Sequence, residues 1–518
     1  MSIFSRVVAV AVILSILLAP AAVTQAQQPR RGGVLRYALE LEPPTYDPHA
    51  TTTTAAAFIM HHVLEPLFTL NTKLEPVPML AERYTVSPDR RTYTIHLRTG
   101  VPFHHGRDLT ADDVVASLSR WGRLGVRARA LFANVESLTA ADAHTVVFRL
   151  KDPYGLLLTD LAWWTQPAVI YPKEIADEAG LSPARRFIGT GPYRFVEYVP
   201  DRHLRLERFD RYAARSEPPD GMSGRRTAHL DALVFAPIPD AAVRVASLQR
   251  NEYQFAEAIP ADQYDRLRRT EGVVPTRDAL PSWLAFVLNK RTGPLTNAKV
   301  RQALLAALDM EAILKVTYGH PEFLLLNPGL MPKEHYLWTD SGKEVYNQKN
   351  IERARQLLAE AGYRGEPIRW LVTAGAFWSD NPATAAKPML ERAGFVIDLQ
   401  FMDWPTVVSR RARPELWEVF VTTFSSVPDP TFLLTLSPAY AGWYESRDMQ
   451  ALISLMRRHI DPKVRADMWQ RAQALFWKDV PSIKVGDGFV MHIHRPELKG
   501  FLRIPTMYFW NTWLEPGR

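Results

Sequence analysis

A chain of 518 residues that is 47% hydrophobic and 23% charged has the composition of ordinary globular protein, which excludes a disordered or fibrous chain and predicts at least two compact units. It has no cysteine, so a lipid-modified Cys, a disulfide framework and a cysteine nucleophile are all excluded. The 62 Lys and Arg outnumber the 55 Asp and Glu for a formal charge of +7, but the signs are interspersed, as in Glu207-Arg208-Phe209-Asp210-Arg211, so the excess reads as solvated surface and not as a nucleic-acid-binding face.

At the start, Arg6 precedes an apolar run from Val7 to Leu18, then Pro20 and small residues up to Thr24-Gln25-Ala26. This order predicts a Sec signal peptide over 1–26, because the run is shorter than the roughly 20 residues a bilayer span requires. The next most apolar window, Val300 to Leu314, is interrupted by Arg301, Gln302, Asp309 and Glu311. The mature chain is therefore expected in the periplasm, without a lipid anchor.

After Gly32-Gly33, the run Val34 to Leu39 predicts a first strand, and alternation predicts others around Tyr93 to Leu97, Val146 to Leu150 and Phe395 to Phe401. Thr110 and Asp113 form a capping-box-like start to a helix over Ala111 to Trp121. Helical spacing of Val300, Leu304, Ala307, Leu308 and Ile313 predicts a helix from Asn297 to Tyr318, stopped by Gly319 and Pro321. Two more run from Asn350 to Ala361, before Gly362, and from Asp461, as N-cap, to Trp477. Alternating strands and helices make the class α/β.

No enzyme constellation is present: there is no Gly-x-Ser-x-Gly elbow, no His-Glu-x-x-His and no Walker-type phosphate loop. Gly189-Thr190-Gly191 continues as Pro192-Tyr193, without the third glycine of a dinucleotide fingerprint, and proline removes an amide that phosphate would use. His61-His62 on a helix and His104-His105 in a turn lack chelating geometry. His492 and His494 face one side of a strand but have no third ligand nearby in sequence. No catalytic residue, metal site or cofactor is expected.

Several blocks occur in order: Tyr46-Asp47-Pro48, Leu64-Glu65-Pro66-Leu67, Thr92 to Arg98 with Gly100-Val101-Pro102-Phe103-His104, Leu109 to Val114, Gly189 to Tyr193, Val300 to Leu304, and Asp479-Val480-Pro481. Together they resemble family 5 of the bacterial extracellular solute-binding proteins, the peptide/nickel-binding group, across nearly the whole mature chain. The resemblance implies a bilobal periplasmic binding protein fold with a hinge, of the type II, large peptide-binding subclass. It makes Gly189 to Tyr193 a structural turn. It implies lobe I from residues 27–288 plus 484–518, with an inserted subdomain at about 76–190, and lobe II from 289–483, with crossings near Asn289 and Lys484. The implied function is capture of peptides or peptide-like solutes for the inner-membrane permease subunits of an ABC importer, by a monomer that is not an enzyme. A sugar, an opine or a nickel chelate is the alternative ligand; a secreted hydrolase or a periplasmic chaperone is the alternative class.

The resemblance also implies a site. Trp404 falls where oligopeptide-binding members place a stacking tryptophan and Arg411 where they place a cleft arginine. The segment Thr423-Phe424-Ser425-Ser426 lines the same region, with Ser426 replacing the aspartate that those relatives use against a peptide's α-amino group. An ammonium therefore lacks its expected counter-ion, and classical peptide specificity is in doubt. Arg129 and Phe132 resemble a cleft-lining loop of nickel-chelate binders, and Thr52 and Thr53, after the first strand, can offer hydroxyl and backbone contacts.

Overall fold

The computed structural model describes residues 29–459, 461–503 and 507–516. The expected signal peptide lies outside them. Among the described residues no helix is long and apolar enough to cross a membrane.

Two large sheets organise the chain. The first, of seven strands, runs Val274–Arg277, Met491–His494, Phe255–Ile259, Val34–Leu39, Ala232–Pro237, His203–Arg208, Tyr193–Val199. Its centre is parallel: Val34–Leu39 pairs in parallel with Ala232–Pro237 on one side and Phe255–Ile259 on the other. Tyr37-Ala38-Leu39 at the end of the central strand are buried, as the middle of a parallel sheet requires, while Arg36 earlier in it is exposed. The second sheet, of six strands, runs Leu324–Leu325, Ser482–Gly488, Ser282–Leu288, Val419–Ser425, Pro367–Thr373, Val396–Met402. A third, four-stranded antiparallel sheet (Ala81–Val86, Thr92–Leu97, Thr145–Leu150, Val135–Asp142) carries the alternating segments around Tyr93 and Val146.

Two sequence expectations change. Asn297 to Tyr318 is two helices, Ala298–Ala307 and Met310–Tyr318, because Asp309 leaves the helical conformation and caps the second with its carboxylate on the Ala312 amide at 3.1 Å. His61 and His62 follow the helix Thr54–Met60 and are not part of it. Ser282–Leu288 and Ser482–Gly488 pair with each other inside the second sheet, and the chain passes between the large sheets at 278–281 and at 489–490. Apolar Trp283-Leu284-Ala285-Phe286 is buried there, and extending that strand to Ser282 satisfies its backbone in the ladder.

Other local signals have their expected structure. The helix Ala111–Leu124 starts at Thr110, whose amide and hydroxyl both donate to Asp113, each at 2.9 Å. Asn350 caps Ile351–Ala361, which ends at left-handed Gly362, and Asp461 caps Pro462–Asp479. The Gly189 to Tyr193 turn packs directly on the backbone after Met60: a Cβ on Gly189 would stand 1.9 Å from the Val63 carbonyl oxygen, and one on Gly191 would stand 2.4 Å from that of His62. His104 pins the turn, accepting from the Gly189 amide at 3.3 Å and donating to the Gly191 carbonyl at 3.0 Å.

Candidate functional site

Both large sheets end in the same place. In an open α/β sheet, ligands bind beyond the carboxyl ends of parallel strands, where the connections splay apart. From the first sheet, Glu40 and Leu41 follow Val34–Leu39, Glu257 and Ala258 come from the end of Phe255–Ile259, and Asp278 follows Val274–Arg277. From the second, Thr422 to Ser426 end the strand Val419–Ser425, Trp378 comes from the helix after Pro367–Thr373, and Trp404 opens the helix after Val396–Met402. These residues line a cavity of about 220 Å3.

Trp404 and Arg411 owe their partnership to the helix Trp404–Arg410, which Asp403 caps through the Thr406 amide at 2.9 Å. Seven residues apart, about two turns, they project from one face. The buried Arg411 guanidinium lies 5.6 Å from the Trp404 ring, 5.8 Å from Phe420 and 5.9 Å from Tyr440, and it donates across the cavity to the Thr52 hydroxyl at 3.0 Å. No carboxylate pairs with it among the described residues. Three aromatic faces and a hydroxyl compensate a guanidinium only in part. Phe424 packs against Trp283 and Tyr440, at 5.1 and 5.8 Å between ring centres, and Trp378 meets Trp404 edge-on at 5.6 Å.

Of the residues singled out from sequence, Thr52, Thr53, Trp404, Arg411, Thr423, Phe424, Ser425 and Ser426 all line this cavity. The Ser426 hydroxyl is already committed, donating to the Pro281 carbonyl at 2.6 Å. Arg129 and Phe132 do not line this cavity; Arg129 borders a second one, against Thr431 to Leu434 and Arg457. Arg129 is exposed and turns back to the Arg123 carbonyl at 3.0 Å, capping the helix before it, while Phe132 packs on Trp121 and over Gly122.

Sequence reasoning missed the opposite wall. Glu40, Glu257 and Asp278 line the cavity with Tyr37, Trp164 and His492. Burial pushes the Glu40 carboxyl up to about 7, against the pull of the Arg244 charge, and burial likewise raises Glu257. Glu257 accepts the Glu40 amide at 2.7 Å and the Tyr37 hydroxyl. His492 accepts from the Ala258 amide through Nδ1 at 3.4 Å, so Nε2 carries the proton and donates to Asp278 at 3.1 Å. His494 faces its own neighbour, the Arg495 carbonyl. Among the described residues no group of three or more His, Asp or Glu is placed to hold a metal. One signal for this wall was present in the sequence: Glu257 interrupts an otherwise apolar strand, Phe255-Ala256-Glu257-Ala258-Ile259.

A family model described as bacterial extracellular solute-binding proteins, family 5, matches residues 75–444, more than half of the chain. The chain belongs to that family. Its fold is the family's two-lobed, type II periplasmic binding protein architecture, and the family is one of transport components, not of enzymes. It is similar to the Probable peptide ABC transporter periplasmic-binding protein y4tO of Sinorhizobium fredii, 28% identical over 90% of this chain and 91% of that one. Among solved structures it is similar to the oligopeptide-binding protein AppA of Bacillus subtilis in complex with a nonapeptide, with a TM-score of 0.82 and 22% identity over 94% of this chain and 100% of that one. It is equally similar to the periplasmic binding protein AgaA of A. tumefaciens R10 in complex with agropinic acid, with a TM-score of 0.82 and 22% identity over 94% and 99%.

Proposed function

We propose that this family 5 protein is the periplasmic, non-catalytic solute-capturing component of an ABC importer, and that it takes one peptide or peptide-like solute into the cavity between its two large sheets for delivery to permease subunits in the inner membrane. The single observation that carries the reading is Arg411, a buried guanidinium without a carboxylate partner among the described residues, at the wall of the cavity between the sheets. Its chemistry suits a ligand carboxylate, with Trp404 as a flat apolar face beside it. The relatives named for peptide transport and peptide complexes support the peptide-like class.

Two lobes, the first from both ends of the chain and the second taken as about 282–488, close on the solute by bending at the two crossings. Arg411 to Thr52 and Trp378 to Glu40, both hydrogen-bonded at 3.0 Å, then belong to the closed state, as does the Asp152 to Arg458 ion pair at 2.7 Å. The chain works as a monomer, exported by the Sec route without a lipid anchor, and binds no nucleic acid.

Native mass spectrometry of protein purified from a periplasmic extract tests this reading, paired with small-angle scattering before and after a randomised tripeptide pool is added. A bound small solute and a smaller radius with the pool are expected. An unchanged radius at saturation would remove the closing motion, and no mass shift with either extract or pool would remove the peptide-like class.

A further inference from the structure

We propose that Glu40 is the residue of this cavity that receives a positively charged nitrogen of the solute, so that the captured molecule is zwitterionic, with its amine against Glu40 on the first sheet and its carboxylate against Arg411 on the second. This rests on the cavity being the solute site. It supplies the counter-ion that Ser426 does not, from the other side of the cleft.

Geometry singles out Glu40 among the acids. It is the first residue past the parallel strand Val34–Leu39, is 8% exposed and lines the cavity. Its Oε2 accepts the Trp378 indole N–H at 3.0 Å, while its Oε1 is buried and has no hydrogen-bond partner among the described residues. Glu257 is already engaged, both of its oxygens accepting from within the protein, and Asp278 gives Oδ1 to His492 and is less buried than Glu40. The nearby cation, Arg244, spends its donors on the backbone carbonyls of Ile238, Pro239, Glu257 and Ala258 and makes no bond to Glu40. A buried acceptor with nothing to accept is costly, and an ammonium or another N–H cation is the group that reverses this cost most fully.

In the closed cavity, with no cation at Oε1, burial pushes the Glu40 carboxyl up to about 7, since desolvation and the Glu257 charge outweigh Arg244, His492 and the Trp378 hydrogen bond; Tyr37 and Asp278 complete the groups around it. A cation at Oε1 stabilises the ionised form, so the complex has the lower pKa and binding releases a proton below pH 7. Affinity for an amine-bearing solute must therefore rise with pH up to about 7 and then level, with no such rise for a solute lacking the amine.

The test is equilibrium dialysis against two randomised tripeptide pools, one with free and one with acetylated amino termini, read by mass spectrometry at pH 5.5 and 7.5 for wild type and Glu40→Gln. Wild type should enrich the free-amino pool on the order of 10- to 100-fold over the acetylated pool at pH 7.5, and less at pH 5.5. Glu40→Gln should lose that enrichment and its pH dependence while still retaining acetylated tripeptides, which also shows that the variant folds. Equal retention of both pools by wild type, or undiminished enrichment by a Glu40→Gln that retains the acetylated pool, overturns the assignment and leaves the cavity as the solute site. A Glu40→Gln that retains neither pool makes Glu40 a structural residue and overturns it as well. Retention of neither pool by wild type overturns the peptide-like reading, and this assignment with it.

Discussion

Arg411→Ala separates charge recognition from packing. In the protein the guanidinium contributes a cation to the cavity, one hydrogen bond to Thr52 and contact with three rings between 5.6 and 5.9 Å away. Against a ligand carboxylate, loss of a charge-assisted hydrogen bond costs about 1.5 to 3 kcal/mol, roughly a 10- to 150-fold rise in Kd. Against the same ligand as its C-terminal amide only a neutral acceptor is lost, about 0.5 to 1.5 kcal/mol. Calorimetric titration of wild type and Arg411→Ala with the tightest tripeptide from the randomised pool, and with its amide, gives the difference directly. Stability in urea should change little, because removing a buried cation without a carboxylate partner offsets the lost ring contacts. Equal losses for acid and amide would mean that Arg411 acts through its packed stem and not through its charge, and the assignment of the carboxylate seat would fail.

Trp404→Ala should weaken acid and amide alike by about 1 to 3 kcal/mol in the same titrations, since an aromatic face does not read charge; a selective loss would contradict its role as a stacking surface. Gly189→Ala should lower urea stability by about 1 to 3 kcal/mol or more, because its Cβ meets the Val63 carbonyl, whereas Gly362→Ala, in open space but at φ +68°, should cost only about 1 to 2 kcal/mol. Stability should also fall below about pH 6.5. Burial lowers His49 and His104 to about 4 and His61 and His62 to about 3, so the unfolded chain binds protons that the folded chain refuses, and each histidine removes about 1.4 kcal/mol per pH unit between its unfolded and folded values. Glu40 acts with the opposite sign, its contribution present below its unfolded value and lost as pH rises to about 7. Urea titrations at pH 6 and 5 should show a slope smaller by one proton in His61→Gln; an unchanged slope would mean that His61 titrates normally.

What the sequence determined by itself were the local decisions and the family. Val34 to Leu39 is a strand because a largely apolar segment, interrupted only by the exposed Arg36, follows two glycines, and Thr110 with Asp113 starts a helix because their side chains satisfy amides that the first turn leaves free. The order of blocks such as Gly189 to Tyr193 identified the family, and Trp404, Arg411 and Thr423 to Ser426 were legible as one stretch because they share a strand, a helix and the turn between them. The opposite wall was not. Glu40, Glu257, Asp278 and His492 are spread over more than 450 residues and meet only because Val34–Leu39, Phe255–Ile259, Met491–His494 and Val274–Arg277 are adjacent in one sheet. The placement of Arg129 and Phe132 off this cavity has the same origin: both lie in the helix Val126–Phe132, and only packing showed Arg129 donating to the Arg123 carbonyl and Phe132 covering Gly122. A side chain's charge and size are written in the sequence, but what it faces depends on strand order, and strand order is set by long-range burial that no window of neighbouring residues contains.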